Sequence, residues 1–148
     1  MKAKTPKINA NLKKLIDKAA DFHGHLGPFL VIGVRMGNTA KKALPQIRKK
    51  EKLQITAKTP LSTPFSCVID GIQVATKCTV GNQKLKIENS QKEIAAIFKL
   101  QNSDNSSEVS VNPKVTKKLM KKLSSEAFNE ELAWEIAAMP ENQLFSIK

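Results

Sequence analysis

Residues 84–111 read KLKIENSQKEIAAIFKLQNSDNSSEVSV, and the fold class turns on how they are taken. Lys84 to Glu88 and Glu93 to Gln101 read as two strands, the second rich in apolar residues. The polar run Asn102 to Ser107 reads as a loop, and Glu108 to Val111 as a further short strand. Asn112-Pro113 then starts a helical stretch over about Lys114 to Leu123, and a second stretch covers Ser125 to Met139 before Pro140. Leu144 to Ile147 can form a last strand. Upstream, Leu53 to Lys58 (LQITAK) alternates apolar and polar residues as a half-buried strand does.

Helices dominate the part before that strand. From Asn9 or Asn11 to Phe22, Leu12, Leu15, Ile16 and Ala19 fall on one side and lysines on the other. A second helix opens at Pro28 and runs to Leu44, apolar nearly all round at first, with Pro45 closing it. Its Gly33 and Gly37 lie four apart on one face, which lets another element approach the backbone closely, a twin subunit being one candidate. A third helix, with Thr63 as N-cap and Pro64 as its first residue, carries Phe65, Val68, Ile69, Ile72 and Ala75 at helical spacing and ends near Lys77 to Gly81. Helices first and a meander with helices afterwards make the class α+β: a single compact domain of N-terminal helices on a mainly antiparallel sheet. Residues 1–8 form a basic N-terminal arm and 9–148 the core domain.

A chain of 148 residues with 41% apolar side chains is long enough for one buried core without staples. Two cysteines are too few for a disulfide scaffold, and the start MKAKTPKINANLKK lacks the apolar stretch of a secretory signal, so a cytoplasmic setting fits. Apolar runs such as Phe29 to Ile32 fall far short of the ~20 residues that cross a bilayer. Net charge is +12, mostly from lysines spread along the chain, some of them in adjacent pairs such as Lys13-Lys14 and Lys121-Lys122. Such charge attracts phosphates, yet arginine occurs only at Arg35 and Arg48 and tyrosine not at all, so base readout and stacking lack their usual side chains. A solvated basic surface accounts for the charge better than a nucleic-acid partner.

His23 and His25 are the only histidines, and both fall in the turn His23-Gly24-His25-Leu26-Gly27-Pro28. Inside a helix, residues two apart diverge by about 200°, whereas in a turn they can converge, and Gly24 frees the backbone to do so. Neutral imidazole is the commonest nitrogen ligand of zinc and related metals. Spacing alone leaves open the plainer role, one ring bonding the last carbonyls of the first helix and the other on the surface. Cys67 falls in the first turn of the third helix, where the dipole favours a thiolate, although free cysteines are commonly buried as small apolar groups. Asp70, three residues on, can hydrogen-bond a histidine ring or simply face water. Cys78 would stand about 16 Å from Cys67 on a continuous helix, too far for one metal or a disulfide; if the chain turns back first, it can come near the site. Thr76, Thr79 and Asn82 supply polar groups at the helix end, which capping alone would explain.

With those residues in view, the string Phe22-His23-Gly24-His25-Leu26-Gly27-Pro28, continued through Gly33-Val34-Arg35-Met36-Gly37 to Ala40, resembles the first signature of the FmdE family, named for formylmethanofuran dehydrogenase. Cys67-Val68-Ile69-Asp70-Gly71-Ile72-Gln73, with Cys78-Thr79-Val80-Gly81-Asn82, is similar to its second. The likeness covers about residues 10–90. It implies an α+β core, often dimeric, in which the histidines meet the cysteine at a metal-containing pocket, and an association with a molybdenum- or tungsten-dependent enzyme of one-carbon metabolism. Val34 stands where an aromatic residue is usual and Lys77 where glycine is usual. No cysteine follows Cys78, so the added zinc finger of some relatives is not expected.

The expected function is a transition-metal site with His23, His25 and Cys67 as ligands, a position open to water or substrate, and Asp70, Cys78, Thr79, Gly24 and Gly27 around it. Zinc is the first choice of metal, nickel or iron the others. A homodimer, or a subunit of a larger oxidoreductase complex, is the expected assembly. Three other readings stand beside it: a non-catalytic accessory module, a thiol enzyme using Cys67 with His23 as base, and a basic nucleic-acid binder.

Overall fold

In the computed structural model, which describes residues 8–44, 53–101, 104–124 and 129–148, the side chain of Asn9 accepts the Asn11 N–H at 2.7 Å and caps the first helix, α1 (Ala10–His23). Ile16 and Ala19 of α1 are fully buried and its lysines are exposed. The next helix, α2 (Pro28–Ala43), opens on Pro28, whose missing N–H costs nothing in a first turn. Burial is unbroken from Pro28 to Val34 and resumes at Met36, Gly37, Thr39 and Ala40, which makes α2 the central helix. Each fully buried Leu or Ile on it contributes roughly 2 kcal/mol through apolar burial.

α3 (Cys67–Thr76) lies across α2 with the two backbones almost touching. A methyl group added at Gly33 would sit 2.1 Å from the Val68 carbonyl oxygen, and one at Gly71 2.2 Å from that of Leu30. One at Gly37 would come within 2.7 Å of the Ala75 Cβ. The glycine face of α2 is thus filled by α3 of the same chain, which corrects the expectation that a twin subunit could use it. The Lys41 ammonium ties the ends of the two helices together by donating to the Ala75 carbonyl at 2.6 Å.

Among the described residues five strands follow the order β2-β1-β3-β4-β5, with β1 (Leu53–Thr59), β2 (Leu85–Asn89), β3 (Ala95–Leu100), β4 (Ser106–Val111) and β5 (Phe145–Ile147). All neighbours are antiparallel except β1 and β2, which α3 connects as a crossover and which therefore run parallel. The register lines up Ala57, Ala96 and Val109 in one row and Ile55, Phe98 and Ser107 in the next, all on the buried face. Three further helices are described: α4 (Pro113–Ser124), α5 (Asn129–Ala138) and α6 (Glu141–Leu144). α5 packs on α2, and the half-buried Arg35 guanidinium fixes its end by donating to the carbonyls of Ile136, at 2.9 Å, and Met139. Burial lowers the Arg35 pKa and nearby Glu141 partly restores it.

The expected α+β arrangement is present, with three local differences. α3 begins at Cys67, three residues later than Pro64, because Thr63 to Ser66 form turns in which the N–H groups of Cys67, Val68 and Ile69 bond the carbonyls three residues back. β4 begins at Ser106, inside the run that reads as a loop, since Ser106 and Ser107 continue the ladder opposite Lys99 and Phe98. α6 is a single turn that the sequence pattern does not announce. The basic arm up to Lys7, Pro45 and residues 125–128 of the second C-terminal helical stretch lie outside the described residues. No helix of the described residues is long and apolar enough to cross a membrane.

Candidate functional site

α1 ends at His23, and Gly24 closes it in the left-handed conformation (φ 101°), its N–H donating to the Ala20 carbonyl at 2.8 Å. The cap is therefore made by the backbone of Gly24 and not by a histidine ring. No atom lies within 4 Å of where a Gly24 Cβ would stand, so glycine is needed here for its backbone and not for space. The bend that follows carries His25 back beside His23, with ring centroids 4.6 Å apart and planes tilted by 36°.

The His23 ring is held from across the fold. Its Nδ1 lies 2.6 Å from Oδ2 of Asp70 on α3. The other Asp70 oxygen accepts from Gln73 Nε2 at 3.3 Å, and Gln73 Oε1 accepts the Val80 N–H at 3.1 Å, so a chain of bonds runs from the imidazole to the loop after α3. A carboxylate only accepts, so Nδ1 carries a proton, and in the neutral ring Nε2 is left with the lone pair. That Nε2 is buried and has no hydrogen-bond partner. A buried, unpaired acceptor costs about 1–3 kcal/mol unless something fills its lone pair.

Cys67 is the first residue of α3, buried and unpaired with any other cysteine. Burial pushes its thiol pKa up, the Asp70 carboxylate pushes it further, and a hydrogen bond from its own backbone N–H offsets part of this. Of the two roles that the sequence leaves open for Cys67, its surroundings match the buried thiol, since burial and Asp70 both disfavour the thiolate. Among the described residues, no group of three or more His, Cys, Asp and Glu side chains stands together so as to hold a metal ion. The structure thus sets the His23 ring beside His25 on one side and bonds it to Asp70 on the other, as two pairwise contacts, without closing a three-donor cluster around Cys67.

Cys78 lies past the end of α3, which stops at Thr76 with Lys77 in the left-handed region (φ 60°). Its thiol points at the Leu53 carbonyl of β1 at 3.9 Å, its N–H is accepted by Thr76 Oγ1 at 3.1 Å, and burial pushes its pKa up. Thr79 is absorbed by a reciprocal turn: its N–H donates to Asn82 Oδ1 at 2.9 Å, and its Oγ1 accepts the Asn82 N–H at 3.0 Å. Gly27 is the N-cap of α2 in extended backbone, and a Cβ there would make ordinary contact with Asn129 Oδ1 at 3.9 Å.

Sequence reasoning missed the surroundings of His25. An open hollow of about 760 Å³ is lined by Gly24, His25 and Leu26 on one side and by Asn129, Glu130 and Glu131, at the start of α5, on the other. An acidic pair at a helix start reads as dipole complement, and nothing in the chain order points it at a histidine more than a hundred residues earlier. Gln73, by contrast, carried a signal in its three-residue spacing from Asp70.

Residues 22–146 match a family model described as FmdE, Molybdenum formylmethanofuran dehydrogenase operon. The chain is also 36% identical over 78 residues to a protein of Archaeoglobus fulgidus named as a probable S-adenosyl-L-methionine-binding protein. That alignment takes in 51% of this chain and 21% of the relative, so the chain spans about a fifth of its length.

Proposed function

Since the chain belongs to the FmdE family, we propose that it is a formylmethanofuran dehydrogenase-related domain that binds a divalent transition metal through His23 Nε2 and His25, with Cys67 as third donor. One observation carries this reading: a buried imidazole nitrogen with its lone pair free and its other nitrogen fixed by a carboxylate. Carboxylate-held imidazoles are the usual metal-ligand arrangement, because the partner sets both tautomer and ring direction. Mixed nitrogen and sulfur donors favour zinc, with nickel or iron as alternatives. A thiol kept protonated by burial must lose its proton to bind, so loading would release acid.

When bound, such an ion would act as a Lewis acid on water or substrate. His23 and His25 would hold it, Asp70 and Gln73 would keep the His23 ring in place, and the hollow beside His25 would leave room for an exchangeable ligand. That room favours an open site over a closed structural one. The raised thiol pKa speaks against a thiol enzyme. Assembly as a homodimer, or as a subunit of a molybdenum- or tungsten-dependent oxidoreductase, is part of the same proposal.

Elemental analysis of the purified protein beside His23→Ala and Cys67→Ser is the test. Stoichiometric metal in the parent and its loss in His23→Ala are expected; equal metal in both would overturn the assignment. The Archaeoglobus fulgidus relative's name makes S-adenosylmethionine the first small molecule to titrate into the same sample.

A further inference from the structure

α4 carries Lys114, Lys117, Lys118, Lys121 and Lys122 within twelve residues. At 100° per residue they fill an arc of about 140°, and Val115, Leu119, Met120 and Leu123 fill a similar arc on the other side. The lysines stand three and four residues apart, where like charges oppose helix formation. The first turn holds no acid, and Lys114 sits at the positive end of the dipole. Glu135 of α5, 3.3 Å from Lys122, offsets part of this charge. Packing on the core needs only the apolar arc.

Beside the stripe runs a groove of about 190 Å³ between α4 and α5. Val115, Leu119, Ile136 and Met139 supply its apolar lining, Lys114, Lys118 and Lys122 line the α4 side, and Glu135, paired with Lys122, and Gln143 complete it, so Lys114 and Lys118 are the lysines that meet a partner's carboxylates first. Those three lysines recur every fourth residue, roughly 6 Å apart along the axis. We propose that this groove receives an amphipathic helix of another protein, its apolar stripe on the apolar lining and a row of carboxylates, also four residues apart, along the lysines of α4. The apolar lining decides against nucleic acid, since a phosphate backbone would leave it wet, and α4 offers neither arginine nor an aromatic ring for reading or stacking bases. The inference goes beyond the metal reading and does not depend on it.

The probes are a helical peptide with glutamate at every fourth residue beside a leucine stripe, a shuffled peptide of equal composition, and a single-stranded oligothymidylate of equal charge. Binding is read as the fluorescence anisotropy of an end-labelled peptide or oligonucleotide, which does not depend on any side chain of the groove. The patterned peptide is expected to bind ~tenfold or more tightly than the shuffled one, and to lose about as much in the Lys114→Glu/Lys118→Glu variant. Lys14→Glu/Lys18→Glu, an equal charge change on exposed positions of α1, is expected to leave that preference intact. Equal binding of the shuffled peptide or the oligonucleotide, or no binding of the patterned peptide, would overturn the proposal.

Discussion

Nδ1 of His23, the last residue of α1, stands 2.6 Å from Oδ2 of Asp70, joining two helices across 47 residues of chain. The bond fixes which imidazole nitrogen keeps its lone pair. Asp70→Asn keeps the shape and removes the charge, so the ring is free to take the other tautomer. Metal affinity is expected to fall about 10–100-fold, the usual cost of losing such a partner. Competition against a chelator of known affinity measures it, and an unchanged constant would separate Asp70 from the metal.

Alkylation of metal-free protein probes Cys67. Its pKa is raised from an ordinary 9.0 by burial and by Asp70, so the thiolate is scarce near neutrality and appears only as pH climbs past that value. The pH–rate curve for iodoacetamide is expected to lie to the alkaline side of a small-molecule thiol and to move back toward it in Asp70→Asn. A curve on the acid side would restore the thiol-enzyme reading.

Lys77→Gly is expected to stabilise the protein by about 1 kcal/mol, because a lysine in the left-handed conformation carries a steric cost that glycine escapes. Gly24→Ala, at φ 101°, is expected to lose about as much. Urea midpoints for the two variants should move in opposite directions.

Gly71→Ala places a methyl group 2.2 Å from the Leu30 carbonyl oxygen, where only backbone movement can make room. A loss of at least about 3 kcal/mol is expected, at the upper end of overpacking costs. Gly27→Ala, whose nearest contact would be 3.9 Å, serves as the tolerated control.

How far these features can be read from the chain depends on their range. α1, α2 and β1 follow from caps, Pro28 and period-two alternation, all of which act within a few residues. The start of α3 escapes such reading because Pro64 suits a first helical position as well as the turn it occupies. The beginning of β4 is hidden because Ser106 and Ser107 look like loop, and only their partners on β3 make them strand. In the site, the convergence of His23 and His25 is legible from Gly24, and Asp70 from its spacing after Cys67. The Cys67 proton, and the acids facing His25, depend on burial and on helices far apart in the chain, for which local pattern holds no signal.

Gly71 directly follows Asp70, and its bare Cα rests on the main chain of Leu30, with Gly33 meeting Val68 in the same way. What limits sliding between these helices is carbonyl oxygen against α-carbon, atoms with no rotamers to change. Variation elsewhere in the interior can therefore lower the melting temperature while leaving the imidazole-to-carboxylate distance as it is, because that distance is set by main chain against main chain.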